Sequence, residues 1–247
     1  MTPQQQAQQC LNRNCLILDT ETTGLDDYAE IVEIALIDAS GKVLMNTLVR
    51  PSKPIPVEAT AIHGINDEMV KNAPTWPEIS HQFCSLISGK NIAIYNADYD
   101  IRLLEQTDHI WKITPNLSAP TQTVCVMQEY AEFYGQRSER GGFKWQKLTA
   151  AAEQQGIKIE GAPHRALSDC LTTLGIVKAM AYEQLPHHVN AVLNELKYAS
   201  EATAWEPRVF DAVVSASILI RQAYRELQQP RDLEEIPFGA VEQEREE

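Results

Sequence analysis

Asp19 and Glu21 stand two residues apart, directly after the apolar run Leu16–Leu18 in LILDTETTGLD. On a strand, that spacing turns both carboxylates to one face, about 7 Å apart along the backbone. Like charges that close repel, and one takes up a proton unless a cation lies between them. These two residues alone read as a strand end passing into an acidic loop, but three later features change that reading. Asp100 follows the apolar run of AIYNADYD at the start of a helix, where an aspartate can also serve as an N-cap. His164 precedes a helix in PHRALSD and, taken alone, reads as a surface histidine. Asp169 lies in the early turns of that helix, beside Cys170 and close to Leu167, a poor place for an unpartnered charge. If the helices pack on the sheet, four carboxylates and one imidazole converge at its end. Oxygen ligation of this kind suits Mg2+ or Mn2+ rather than zinc. Two such ions about 4 Å apart clamp the attacking and leaving oxygens of an in-line phosphoryl displacement. An imidazole near its reference pKa of about 6.5 can then take a proton from the attacking water. The chemistry this set supports is phosphodiester cleavage.

Positioning those side chains falls to a sheet and the helices that cover it. Residues 1–14 read as a flexible N-terminal arm, and CLILDTE as the first strand. After a turn centred on Gly24, EIVEIALIDA is a second strand, and Ser40-Gly41-Lys42 turns it into a third, VLMNTLVRP. PEISHQFCSLISG places Ile79, Phe83, Leu86 and Ile87 on one helical face and stops at Gly89. KNIAIYNAD is a fourth strand, YDIRLLEQ a short helix, and QKLTAAAEQQG a helix ended at Gly156. RALSDCLTTLGIVKAMAYEQL is a longer helix with Leu167, Cys170, Leu171, Leu174 and Val177 on its apolar face. A meander followed by alternating strands and helices predicts an α/β layer with a mixed sheet. From Pro186 the chain reads as helical, and RVFDAVVSASILIRQAYREL spaces Val209, Val213, Ile220 and Leu227 for packing on the main domain. The expected division is an arm at 1–14, a catalytic domain at 15–185, a helical extension at 186–233 and an acidic tail at 234–247.

Composition narrows the class further. The chain has 247 residues, 44% hydrophobic and 22% charged, the balance of an ordinary globular protein. No apolar run approaches the roughly 20 residues that cross a membrane, and the polar N-terminus is not a secretory signal. Five scattered cysteines, Cys10, Cys15, Cys84, Cys125 and Cys170, suggest reduced thiols and a cytoplasmic protein. The net charge of −13 confines any attraction for polyanions to a local patch. The last 14 residues carry −5 of it and read as a solvated tail.

DTETTGL, NADYD and HRALSD, in this order, closely resemble the three signature motifs of the DEDDh 3′–5′ exonucleases. That superfamily includes the proofreading subunit of bacterial replicative polymerases, RNase T, oligoribonuclease and the TREX enzymes. The resemblance spans about residues 15–182 and extends to ATAIHGINDEMVKNAPTW. It implies an RNase H-like fold with a mixed five-stranded sheet flanked by helices. It also implies two Mg2+ or Mn2+ ions held by Asp19, Glu21, Asp100 and Asp169, with His164 as general base. The expected activity is stepwise release of nucleoside 5′-monophosphates from a 3′ end, with single-stranded DNA ahead of RNA. An exoribonuclease of the same superfamily, or a binding adaptor without turnover, is the alternative. By the same resemblance Thr22 and Thr23 grip the terminal nucleotide, and Leu25 wedges against its base. His63 lies near the terminal nucleotide, or simply stabilises its own turn. The chain departs from the family at Tyr95-Asn96, where His-Asn is frequent, and at Tyr99, where Phe is usual.

EFYGQRSERGGFKWQK, residues 132–147, interleaves Arg137, Arg140, Lys144 and Lys147 with Phe133, Tyr134, Phe143 and Trp145. Basic residues track phosphates and aromatic residues stack on bases, so this segment either flanks the catalytic mouth or is a loop whose aromatics fill the core. One basic patch on an acidic body predicts a short footprint and salt-sensitive binding. The expected partner is nucleic acid with a free 3′ end, with no membrane contact. A polymerase or other protein docked through the C-terminal helices is the further partner the sequence allows.

Overall fold

The computed structural model describes residues 1–113, 120–139, 141–182, 192–193, 195–196, 199 and 207–228. The chain divides into two compact units, Met1–Gln184 and Leu185–Glu247. The first unit holds a five-stranded sheet in the order β3-β2-β1-β4-β5. Its strands are β1 Leu16–Thr22, β2 Ile31–Asp38, β3 Val43–Leu48, β4 Asn91–Ile94 and β5 Gln122–Cys125. The first three form the antiparallel meander, and β4 and β5 continue the sheet in parallel from β1. This is the mixed five-stranded sheet flanked by helices that the sequence predicts.

The two-residue period of β1 sorts its side chains between two cores. Ile17 joins Ala35, Ile37 and Ala93 under α1 (Pro3–Asn12), α6 (Val126–Tyr134), α7 (Leu148–Gln154) and α8 (Ala166–Tyr182). Leu16 and Leu18 join Ile34, Leu36, Ile92 and Ile94 on the opposite face, against α4 (Trp76–Ile87) and the start of α5 (Ala97–Ile110). Because both faces are covered, β1 and β2 are apolar along most of their length rather than alternating. A smaller core of Val32, Ile55, Ala59, Ile65 and Val70 seats α2 (Val57–His63) and α3 (Asp67–Val70). Leu18 pairs with Ile94 at the last rung of the parallel ladder; β4 ends there while β1 runs on to Thr22, which leaves Asp19 and Glu21 beyond the end of β4. The carboxyl ends of parallel strands are where α/β sheets open a crevice.

Several expectations fail locally. The residues expected to form a flexible arm instead make α1, held by a reciprocal cap. The Gln5 N–H donates to Thr2 Oγ1 at 3.2 Å, and the Thr2 N–H donates to Gln5 Oε1 at 3.0 Å. Ala7 and Cys10 are buried, and Gln8 Nε2 donates to the Ala181 carbonyl of α8 at 3.0 Å. Nor are all five cysteines reduced: Cys10 and Cys15 form a disulfide, leaving Cys84, Cys125 and Cys170 free. The helix ends at Asn12, Asn14 turns back with a φ of 49°, and the Cys15 N–H reaches the Cys10 carbonyl at 3.0 Å. That tight reversal brings two cysteines five residues apart into bonding range. The short helix after β4 is a 14-residue helix whose buried side, through Leu103 and Thr107, runs past Gln106. Within 132–147, the first three residues finish α6, which stops at Gly135 with a φ of 85°, a conformation glycine takes without strain.

In the second unit, Pro207–Gln228 forms a 22-residue helix where the periodicity places one. The expected joints at Pro186 and TAWEP, the tail at 234–247, Arg140 and the side chain of Leu227 lie outside the described residues. Among the described residues, no helix is long and apolar enough to cross a membrane.

Candidate active site

Asp19, Glu21, Asp100, His164 and Asp169 all line one cavity of about 640 Å³ at the carboxyl end of β1 and β4. Each arrives there for a local reason. Asp19 and Glu21 continue the face of Ile17, and a bulge between Glu21 and Thr22 re-aims the strand as it leaves the sheet. Asn96 caps α5, so Asp100 sits in the first helical turn and is not the cap. Its Oδ1 accepts the Thr20 N–H at 3.1 Å and the Thr20 hydroxyl at 2.7 Å. This fastens helix to strand. His164 holds a φ of 59°, a left-handed turn that histidine tolerates better than most side chains, and its ring is exposed at the mouth. Asp169 lies one turn into α8, its N–H on the Arg165 carbonyl at 3.0 Å. The next residue docks that helix: the Cys170 thiol reaches the carbonyls of Ile17 and Ala35 at 3.6 and 3.5 Å.

Ligand atoms of Glu21, His164 and Asp169 lie within 4.8 Å of one another. Loss of water, followed by the charge of Asp169, pushes Glu21 up to about 8. Burial raises Asp100 to about 7 despite the donors on Thr20, and Asp169 to about 6 despite His164 beside it. Asp19 is held well above the usual carboxylate range by desolvation and then by Asp100, Asp169, Glu21 and Glu33. Glu30 shows what a structural buried acid looks like here. It accepts from the Ser52 N–H, the Ser52 hydroxyl at 2.6 Å and Trp111 Nε1 at 2.8 Å. Asp19 and Glu21 have no such donors among the described residues. A cluster of buried hard oxygen donors, two of which lack hydrogen-bond partners among the described residues, fits divalent cations.

Residues 16–177 match the RNase T exonuclease family. The chain belongs to this DEDDh family of exonucleases. It is similar to the uncharacterized exonuclease CP81 of Escherichia phage 186, at 49% identity over 183 residues, 73% of this chain and 94% of that one. It is 29% identical to the DNA polymerase III epsilon subunit of Pasteurella multocida over 124 residues, 46% of this chain, and spans 47% of that subunit's length. Among solved structures, exonuclease X in complex with 5′ overhanging duplex DNA aligns at a TM-score of 0.50 and 28% identity, over 70% of this chain and 95% of that one. The nuclease domain of 3′hExo bound to rAMP shares the fold, with a TM-score of 0.56 at 17% identity, over 70% of this chain and 95% of that one. The chain is therefore an exonuclease, a phosphodiester hydrolase.

In this exonuclease the expected substrate residues divide. Leu25 is 78% exposed on the lip of the cavity, free to meet a ligand. The hydroxyls of Thr22 and Thr23 are committed to the turn itself. Thr22 Oγ1 donates to the Gly24 carbonyl at 2.9 Å and lies 2.6 Å from the Tyr99 hydroxyl, while Thr23 Oγ1 accepts the Glu30 N–H at 2.9 Å. The Thr23 N–H is committed as well, donating to the Glu30 carbonyl at 2.8 Å. His63 is buried and staples two segments. Its Nδ1 accepts the Ile65 N–H at 3.0 Å, so Nε2 carries the proton and donates to the Thr22 carbonyl at 3.2 Å. Burial lowers its pKa, which keeps that neutral tautomer.

Two site residues escape a reading of the motifs. Glu33 lies opposite Glu21 in the β1–β2 ladder, a fifth carboxylate against the other four. Arg165 answers it, with Nε on Oε2 at 3.0 Å and Nη2 on Oε1 at 2.7 Å, and the Ala166 N–H adds a third donor at 2.9 Å. The signal was a glutamate inside the apolar run EIVEIALID, with buried Val32 and Ile34 on either side.

Proposed function

We propose that this exonuclease removes nucleotides one at a time from the 3′ end of a nucleic acid strand, preferring single-stranded DNA, and releases nucleoside 5′-monophosphates. The observation that carries the reading is the convergence of Asp19, Glu21, Asp100, His164 and Asp169 on one cavity, with all four acids raised chiefly by burial. Asp19, Glu21, Asp100 and Asp169 would hold two Mg2+ or Mn2+ ions, which supply charge stabilisation for the attacking and leaving oxygens when bound.

The chain's own groups do the rest. His164 takes the proton of the attacking water, one of its ring nitrogens within 4.8 Å of the Glu21 and Asp169 carboxylates. Because the ring is exposed, that proton can pass to bulk water between turnovers. Leu25 packs against the terminal base, carried on the turn that Thr22 and Thr23 hold. All five residues are present, which favours turnover over a silent binding role. DNA is preferred because the phage exonuclease and the DNA polymerase III epsilon subunits are among the relatives, and because exonuclease X was solved with DNA. The 3′-exonuclease that recognises the histone mRNA stem-loop, and 3′hExo with rAMP, are too distant in sequence to argue beyond the fold.

The test is a 5′-labelled single strand of DNA and its RNA counterpart, digested side by side with Mg2+ or Mn2+. Both ladders should shorten from the free 3′ end, the DNA faster, and Asp19→Ala should stop the reaction. Internal cuts, or indifference to a 3′-phosphate, would overturn the assigned direction. A faster RNA ladder would overturn the assigned substrate.

A further inference from the structure

Resting on the function just proposed, we infer that Trp145, with Lys144 and Lys147, forms a stacking platform for the single-stranded segment upstream of the terminal nucleotide. Trp145 is 61% exposed, and both lysines beside it are exposed. That exposure is built rather than frayed. The segment's base is pinned on both sides, with an antiparallel bridge between Arg137 and Phe143 and the Lys144 N–H on the Gln136 carbonyl at 2.7 Å. Gln146, 7% exposed, locks its base. Its Nε2 donates to Gln136 Oε1 and to the Lys144 carbonyl, both at 3.0 Å, and its Oε1 accepts from Gln154 Nε2 of α7 at 3.1 Å. The Gln146 carbonyl in turn accepts the Tyr95 hydroxyl at 2.8 Å, and Tyr95 and Leu148 both line the catalytic cavity. The indole is therefore held on a rigid mount, one residue from a group bonded to the cavity wall.

Charge selects the ligand. In a chain with 34 acidic residues, the stretch from Gly141 to Ala152 contains none and carries Lys144 and Lys147. An exposed indole offers a flat apolar face that any base can stack on, and lysines on either side suit the phosphates between successive bases. The ligand class is thus unpaired nucleic acid, bound without base preference. The aromatics of the segment divide accordingly: Phe133 and Tyr134 pack against Tyr130 of α6, while Trp145 is left to the solvent.

The full-length exonuclease should be compared with Trp145→Ala and Trp145→Phe on two substrates, the p-nitrophenyl ester of thymidine 5′-monophosphate and a short DNA single strand. Trp145→Ala should raise KM for the strand about tenfold, the loss of one stacked base, while leaving turnover of the ester unchanged. Trp145→Phe should restore most of the loss. Lys144→Ala and Lys147→Ala should each flatten the dependence of log KM on log salt by about 0.7. Anisotropy of a labelled strand in EDTA measures binding without the metals, and the same variants should weaken it in step. Unchanged strand affinity in Trp145→Ala, or an equal loss on the ester, would overturn the platform. If the wild-type protein cuts neither substrate, the proposed function fails, and the anisotropy series still decides the platform.

Discussion

Glu21 and Glu33 face each other across two strands, and the arrangement survives because Arg165 is shared between structure and chemistry. Its guanidinium neutralises Glu33, while its backbone follows His164 in the chain and accepts the Asp169 N–H. The residue that quiets the fifth acid therefore also fixes the segment carrying His164. Removing it leaves Glu33, 5% exposed, without its cation. Breaking a buried pair costs about 3–5 kcal/mol. Arg165 is 39% exposed, so water recovers part of that, and Arg165→Gln should cost about 2 kcal/mol in chemical denaturation. It should also lower kcat with little change in KM, because the strand does not touch Arg165 in the proposed mode. His164→Ala should lower kcat by about 10²–10⁴ while leaving the protein folded. The informative measurement is the double variant. If Arg165 acts by placing His164, adding Arg165→Gln to His164→Ala should cost stability but no further rate. Additive rate losses would show that Arg165 contributes elsewhere in the reaction.

Among the elements, α5 does more than deliver Asp100. Tyr99, Arg102 and Gln106 lie on one helical face and take the carbonyls of the turn that follows β1. Tyr99 Oη donates to Gly24 at 3.0 Å, Arg102 to Leu25 at 3.4 Å, and Gln106 Nε2 to Asp26 at 3.0 Å and Ala29 at 2.6 Å. The exposed Leu25 is thus carried on a loop whose backbone is tied down. Gln106→Ala frees two carbonyls and should loosen the loop by about 1 kcal/mol, raising KM roughly fivefold on the oligonucleotide and the ester alike while sparing kcat. An unchanged KM would mean that the loop holds without this tie. This tie also marks what a sequence can disclose about such a site. Asp19, Glu21, Asp100, His164 and Asp169 were legible because their order matches a family pattern. The strand carrying the first two was legible because its apolar run ends in a punctuating turn. The Tyr99–Arg102–Gln106 clamp was not, since side chains bonding to backbone carbonyls leave no signature in residue type. Helix α1 was hidden by glutamines that mask the buried Ala7 and Cys10, although Thr2, Pro3 and Gln5 already spelled a helix start. Strand β5 was missed because QTVC has no apolar run like the one that discloses the equally short β4.

At the scale of the whole molecule, the acid cluster makes folding and catalysis compete. Asp19, Glu21, Asp100 and Asp169 have pKa values above those of exposed carboxylates, with Asp169 at about 6, Asp100 at about 7 and Glu21 at about 8. Between about pH 4 and those values the folded protein binds more protons than the unfolded chain, so stability falls as pH rises. Their contribution is intact below about pH 4 and is lost progressively as pH climbs through about 6 to 8. A tenfold change in proton affinity on folding is worth about 1.4 kcal/mol. Half-buried Asp169, which departs least from an ordinary carboxyl among these three, contributes least. In EDTA the melting temperature should therefore drop between about pH 5 and pH 8.5. Divalent cations should reverse this in the same window, because they bind the ionised acids of the native state alone. Saturating Mn2+ should raise the melting temperature by several degrees near about pH 8, and by less near about pH 5, where protons compete for the same oxygens. The pattern should shrink in Asp19→Asn, which removes one ionisable member and relieves the other three. A melting temperature that rises with pH in EDTA would mean that the acids are neutralised by groups other than metal, and the cation reading of the site would fall with it.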